Sequence, residues 1–213
     1  MTTTAVDDVS IDDDHESGAR TLGAGRGLGL LLVITGALGL LAAWVITLDK
    51  FELLKDPHYK PACSLNPIIS CGSVMQSKQA EAFGFPNPMA GLVGFGVVVA
   101  IGMAVLAGAR FRRWYWIGLN VGTGLAAVFC MWLMSQSLYS INALCLWCTL
   151  TWCVTILMFW YTTAHNIKHG VIPAPAGVRN AVVEFHWVVP VLWYGVIALL
   201  ILTRWWSFWT GLL

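Results

Sequence analysis

Residues 114–164 read WYWIGLNVGTGLAAVFCMWLMSQSLYSINALCLWCTLTWCVTILMFWYTTA, fifty-one residues without a single Asp, Glu, Lys or Arg. A bilayer core of about 30 Å is crossed by about 20 helical residues, so one helix cannot account for the run. The polar cluster Ser135, Gln136, Ser137, Ser140 and Asn142 divides it into two helices joined by a tight turn. Working outward, Pro88 to Ala109 is a second charge-free run and Gly27 to Leu48 another. Phe185 to Thr203 is a shorter run, closed by the aromatic patch RWWSFW at 204–209. Five spans follow.

The composition agrees. The chain is 58% hydrophobic and 11% charged, with mean hydropathy +0.72. A soluble domain carries about 25% charged residues, so this chain has too little polar surface to dissolve as a globule. Twelve tryptophans suit a protein with two wet–apolar boundaries to anchor. The net charge of +1 gives no reason to propose a nucleic-acid partner. A signal peptide does not explain Gly27 to Leu48, because its apolar part would be only about 7–15 residues and nearer the N-terminus. The expected organisation is a disordered cytoplasmic tail at 1–26 and a bundle at 27–164 with an outer loop at 49–87. A cytoplasmic loop at 165–184 and a fifth helix with its tail at 185–213 complete it. The fold class is an all-α membrane protein.

Lysine and arginine bias sets the orientation. With the N-terminus inside, the inner side carries Arg20, Arg26, Arg110, Arg112, Arg113, Lys168 and Arg179, and the outer side Lys50, Lys55, Lys60, Lys78 and Arg204. Seven against five is a weak bias. The compact RFRR at 110–113, pressed between two spans, argues more strongly for an inside N-terminus.

That topology gathers four of the six cysteines on one side: Cys63 and Cys71 in the first outer loop, Cys145 and Cys148 just past the tight turn. Cys130 and Cys153 lie on spans without a spacing partner and read as packing residues, since free cysteine behaves as a small hydrophobe. If the fourth span starts near Asn142, that side chain is a plausible N-cap. Cys145 then sits in the first turn, where orphan amides and the helix dipole favour a thiolate, the nucleophile of disulfide exchange. Cys148 shares the helix face about 4.5 Å deeper. Such a pair suits electron transfer from a water-soluble dithiol to a lipid-soluble acceptor. In the loop, PACSLNPIISCGS (61–73) encloses a short turn that a disulfide could close. A purely structural bridge is compatible with an oxidising compartment. Four-cysteine zinc binding fits the 145/148 spacing, but the seven residues between Cys63 and Cys71 exceed the usual two to four.

Taken in order, the Cys63-x7-Cys71 pair, Ser77 in CGSVMQS, Asn87 in FPNPMAG and the CLWC of Cys145 and Cys148 resemble the vitamin K epoxide reductase family in its bacterial branch. The resemblance covers residues 28 to about 164. It implies a four-helix bundle around a quinone, with segment 72–83 as a short helical lid in the first outer loop. It also implies that a reduced partner attacks Cys63 of a Cys63–Cys71 disulfide. Cys71 then relays electrons to Cys145, and Cys148 stands next to the quinone ring. Ser77 matches the family serine near this relay, and Asn87 matches an asparagine that hydrogen-bonds a quinone oxygen. The family tyrosine four residues after the second motif cysteine is Trp152 here, and an indole N–H donates but cannot accept. This departure bears on epoxide chemistry and leaves quinone reduction, with menaquinone or ubiquinone as acceptor, intact. Many bacterial members carry a fused thioredoxin-like domain after the fifth helix. This sequence stops at Leu213, so the expected partner is a separate DsbA-like protein of thioredoxin fold. Two other classes compete, a membrane scaffold with structural disulfides and a metal-binding membrane protein. The Trp205, Trp206, Phe208 and Trp209 cluster reads as an interfacial belt. Nothing in the sequence bears on oligomeric state.

Overall fold

A computed structural model describes residues 21–210 apart from Pro57 and Pro67, so residues 1–20 of the expected tail lie outside the described residues. Four long apolar helices form the body: α1 (Arg26–Lys55), α3 (Asn87–Leu106), α4 (Arg113–Gln136, continued by a π-helical turn at Ser137–Ile141) and α5 (Leu146–Lys168). Between α1 and α3 lie a short helix α2 (Cys71–Met75) and a 3₁₀ turn (Lys78–Glu81). After α5 come α6 (Ala176–Glu184), α7 (Val188–Arg204) and a last turn α8 (Trp206–Thr210). Large apolar side chains such as Val93 and Val128, each 70% exposed, cover the outside of the body. In water such a surface would be a liability, and it marks the face turned to lipid. This is an all-α membrane bundle with four spans among the described residues, or five if the bent α6–α7 pair makes one.

Small residues bring the helices together. A Cβ on Gly102 of α3 would lie 2.9 Å from the Val33 backbone nitrogen and 3.1 Å from the Gly29 carbonyl oxygen of α1. Backbone cannot step aside, so only glycine permits that approach, and packing of this kind is what holds apolar helices together where lipid removes the hydrophobic drive. Around this seam Leu32, Phe95, Val98, Ile101, Trp116, Val154 and Met158 build the main core. α1 packs on α3 and α5, and α5 on α4, whereas α3 and α4 barely meet.

Several expected boundaries move. α1 runs to Lys55 rather than ending near Leu48, because Lys50 finds partners beneath the lid and Asp49 accepts from the Tyr59 hydroxyl at 2.9 Å. α3 starts with Pro88 in its first turn, where a missing N–H costs little. The expected lid helix at 72–83 is two pieces, because the Ser77 hydroxyl and amide both turn back to the Val74 carbonyl and end α2. Residues 165–184 are not all loop: α5 continues to Lys168, and α6 follows a turn that contains Gly170 at φ +70°. α7 begins at Val188, after a 67° bend from α6.

The arginine-rich end is stitched by short-range pairing. Strands β1 (Thr21–Gly23) and β2 (Arg110–Arg112) pair antiparallel with Leu22 opposite Phe111, so the end of the expected tail is ordered against the RFRR segment. Trp116 Nε1 donates to the Leu22 carbonyl, and Arg113 donates twice to the Val171 carbonyl beyond α5.

Candidate redox site

At the opposite end the two cysteine pairs meet. Cys63 and Cys71 form a disulfide with Cα atoms 5.7 Å apart, and Cys145 and Cys148 are free thiols. The sulfurs of Cys63, Cys71 and Cys145 all lie within 4.8 Å of one another. Cys71 and Cys145 are fully buried, while Cys63 keeps 7% of its surface exposed.

Backbone pairing explains the juxtaposition. Leu144 N donates to the Ile68 carbonyl at 2.7 Å, and Ser70 N donates to the Leu144 carbonyl at 2.9 Å, a parallel bridge that ends one residue before each buried cysteine. Asn66 shapes the loop into that bridge, its Oδ1 accepting from the amides of Ile68 and Ile69. Ser70 then caps α2, its hydroxyl accepting from Ser73 N, so Cys71 opens a helix.

The N-cap of α5 is not Asn142. Asn142 adopts φ 58°, left-handed backbone, and closes the π-helical turn. Cys145 is itself the cap: its backbone is extended, and its Sγ accepts from Cys148 N at 3.4 Å. The two-residue spacer of CLWC thus matches the reach from an N-cap to the third helical amide. The Cys148 thiol donating to its sulfur, with the Cys148 and Trp147 amides behind it, holds the Cys145 thiol below the ordinary cysteine range against the opposing effect of burial. A sulfur so placed is a ready nucleophile and leaving group.

Below this cluster lies a cavity of about 550 Å³, bounded by α1, α3, α4 and α5 and roofed by the segment from Val74 to Phe83. It fills the gap that α3 and α4 leave, and its walls are almost wholly apolar. Its volume falls within the ~300–1,000 Å³ range of small-molecule sites. Cys148, Trp152, Ser77 and Asn87 all line it. Trp152 is 3% exposed, and its indole N–H donates to no protein group among the described residues. Ser77 donates to the Val74 carbonyl. Asn87 is engaged with the roof: Nδ2 donates to the Gln79 carbonyl at 2.7 Å, and Oδ1 accepts from Ala82 N at 3.0 Å.

Three residues at this end escaped the sequence reading. Lys50 is buried on α1 and clamps the roof, its Nζ reaching the Met75 carbonyl and Glu81 Oε1, each at 2.8 Å. Its one sequence signal is a lysine two residues after an apolar span. Cys130, assigned to packing, also lines the cavity, its sulfur 3.9 Å from Thr155 Oγ1. Arg204 of α7 donates to the Leu138 carbonyl and to Asn142 Oδ1. Cys153 is half-buried away from the cluster, and its carbonyl accepts from the Tyr194 hydroxyl at 2.7 Å. Trp205 is 8% exposed and packed with Leu138, Leu144 and Ile68, so this residue is core and not belt.

A metal reading suits this donor set poorly. Zinc takes thiolates, and two of the three clustered sulfurs are spent in a disulfide.

No curated protein matches the chain. The sequence model of the vitamin K epoxide reductase family matches residues 30–163, which take in most of α1 and α5, all of α3 and α4, and both cysteine pairs. The chain belongs to the vitamin K epoxide reductase family and, as that membership implies, is a membrane thiol oxidoreductase.

Proposed function

We propose that this protein reoxidises a DsbA-like dithiol of thioredoxin fold and delivers the electrons to a membrane quinone, supporting disulfide formation in exported proteins. One observation carries the reading: Cys145 lies within 4.8 Å of the loop disulfide, while its motif partner Cys148 opens onto an apolar cavity. The four cysteines thereby join a loop disulfide, exposed only at Cys63, to an apolar pocket.

In the proposed cycle a thiolate of the partner attacks Cys63, the less buried sulfur, and Cys71 leaves as a thiolate. The partner's second thiol releases Cys63 and departs as a disulfide. Cys71 then attacks Cys145 of an oxidised Cys145–Cys148 pair, expelling Cys148, and Cys63 resolves that mixed bond, re-forming the loop disulfide. Two electrons and two protons now reside on Cys145 and Cys148. A quinone in the cavity accepts them and leaves as quinol, and the Cys145–Cys148 disulfide returns. The gap between α3 and α4 suits entry from the bilayer. The indole N–H of Trp152, without a partner among the described residues, suits a quinone carbonyl, and Asn87 acts by holding the roof as well as by its remaining amide hydrogen. The scaffold alternative leaves a free thiol pair beside a disulfide without a purpose.

The direct test of this function is turnover. Purified protein given a thioredoxin-fold dithiol and a short-chain quinone should form one quinol per disulfide made; dithiol oxidation without quinol would overturn the reading. Within that assay Asn87→Ala should raise the quinone KM. Losing one hydrogen bond costs about 0.5–1.5 kcal/mol, so the rise is roughly 2- to 13-fold per bond, with reduction of the loop disulfide unchanged. An unaltered KM with slowed dithiol turnover would contradict that role.

We further propose that the N-terminus is cytoplasmic and the cysteine end extracytoplasmic, in a bacterial cell membrane. The arginine cluster at 110–113 and the need for an oxidising compartment support it. A cysteine replacing the exposed Tyr139 should react with an impermeant thiol reagent in intact cells, whereas one replacing Arg112 should react only after lysis. The reverse pattern would turn the dithiols toward a reducing cytoplasm and end the proposed electron flow.

A further inference from the structure

The fifth helix lies outside the four-helix body, and most of its large side chains face outward: Val191, Leu192, Val196, Leu199 and Leu202 are all exposed. Within it Pro190 and Ile197 are buried, and at the cysteine end Trp205, just beyond it, is buried too. There it stops being a bystander. Trp205 packs in one cluster with Leu138, Leu144 and Ile68, the residues that form the π-helical turn and the parallel bridge. Beside it Arg204 Nε donates to the Leu138 carbonyl at 2.9 Å, and the other arm of its guanidinium donates to Asn142 Oδ1.

Those two acceptors bracket a turn that ends in left-handed backbone. Asn142 is the only non-glycine residue at positive φ among the described residues, and left-handed backbone is uncommon outside glycine. The turn is further closed by the Ser137 hydroxyl, which donates to the Ala143 carbonyl, and by Ala143 N, which donates back to the Ser137 carbonyl at 3.2 Å. Leu144 comes next and exchanges hydrogen bonds with Ile68 and Ser70, and then comes Cys145. From the residue that Arg204 grips to the sulfur is therefore three residues, all buried after Asn142. A planar, permanently charged fork holds such a geometry in a way that a single flexible donor cannot.

We propose that Arg204 is a positioning residue for the thiol relay: by gripping Leu138 and Asn142 from the fifth helix it fixes the turn that sets Cys145 against Cys71. The proposal rests on the relay reading above and gives the fifth helix a part in it. Arg204 touches neither the sulfurs nor the cavity, so it acts through the turn alone.

The test uses the full chain in lipid nanodiscs with Cys63→Ala and Cys148→Ser, which leaves Cys71 and Cys145 as the facing thiols. Equilibrated with glutathione buffers, these two thiols give two electrons and two protons to glutathione disulfide and become a Cys71–Cys145 disulfide. Quantitative peptide mapping then yields their effective concentration. Adding Arg204→Ala should lower it by about tenfold or more, the scale expected when charge-assisted hydrogen bonds that fix a geometry are lost. Arg204→Lys, with one mobile donor group in place of the fork, should fall between. An effective concentration within twofold of the arginine chain, with only the unfolding temperature lowered, would make Arg204 a plain helix anchor and overturn the proposal. Absence of the Cys71–Cys145 disulfide from the arginine chain as well would remove the relay itself, and the proposal with it.

Discussion

Serine in place of Cys148 should stop quinone reduction, by roughly four orders of magnitude or more, the scale of losing a nucleophile that acts as one unit with its partners. Cys148 is the motif thiol that lines the cavity, and Cys145 is fully buried above it, so Cys145 cannot substitute. Reduction of the Cys63–Cys71 disulfide should continue in the same variant, because that exchange involves neither Cys148 nor the cavity. Cys130 provides the control. It shares the cavity wall, yet its sulfur is turned to Thr155, and no thiol three residues away can close a disulfide with it. Cys130→Ser and Cys153→Ser should keep turnover within a few-fold of the parent. Quinol formation by the Cys148→Ser protein at the parental rate would contradict the assignment.

Removing the loop disulfide should separate a staple from a relay. The Cys63–Cys71 bridge spans eight positions, and closing so short a loop stabilises a chain by about 2–3 kcal/mol in the chain-entropy account. Cys63→Ala or Cys71→Ala should therefore lower the unfolding temperature only modestly in a bundle held mainly by its long helices. Turnover with a protein dithiol should fall to background in both variants, because Cys145 is buried beneath the loop and no protein thiol can reach it directly. Equal modest losses in stability and activity would instead favour a purely structural bridge.

The spans were legible because charge is costly in lipid, so its absence over residues 114–164 carries information at any register. The cysteine pairs were legible because their chemistry is tied to short spacings. What the sequence hid depends on long-range contact. Nothing local reports that Ile68 and Ser70 pair with Leu144, yet that bridge brings Cys71 to Cys145. Asn142 has the chemistry of an N-cap, but the same small amide tolerates left-handed backbone, and the π-helical turn claims it for that. Cys145 then takes the cap, a role for which cysteine has little propensity of its own. Lys50 and Arg204 read as flanking charges of apolar helices, and only the folded chain gives them their acceptors in the roof and in the turn. α6 was missed because it is only nine residues long and buries none of them, so it does not stand out from a polar loop between two apolar runs.

The order of exchange among the sulfurs is the centre of the account, and one measurement addresses it directly. Cys63 resolves the bond between Cys71 and Cys145, so the intermediate is trapped only where both Cys63 and Cys148 are absent. Non-reducing peptide mapping of the Cys63→Ala, Cys148→Ser protein after equilibration with a reduced and oxidised dithiol couple should find Cys71 joined to Cys145, whereas the Cys71→Ala, Cys148→Ser protein should show little bonding of Cys63 to Cys145. A Cys63–Cys145 disulfide in the second protein with no Cys71–Cys145 disulfide in the first would reverse the loop assignment and contradict the relay.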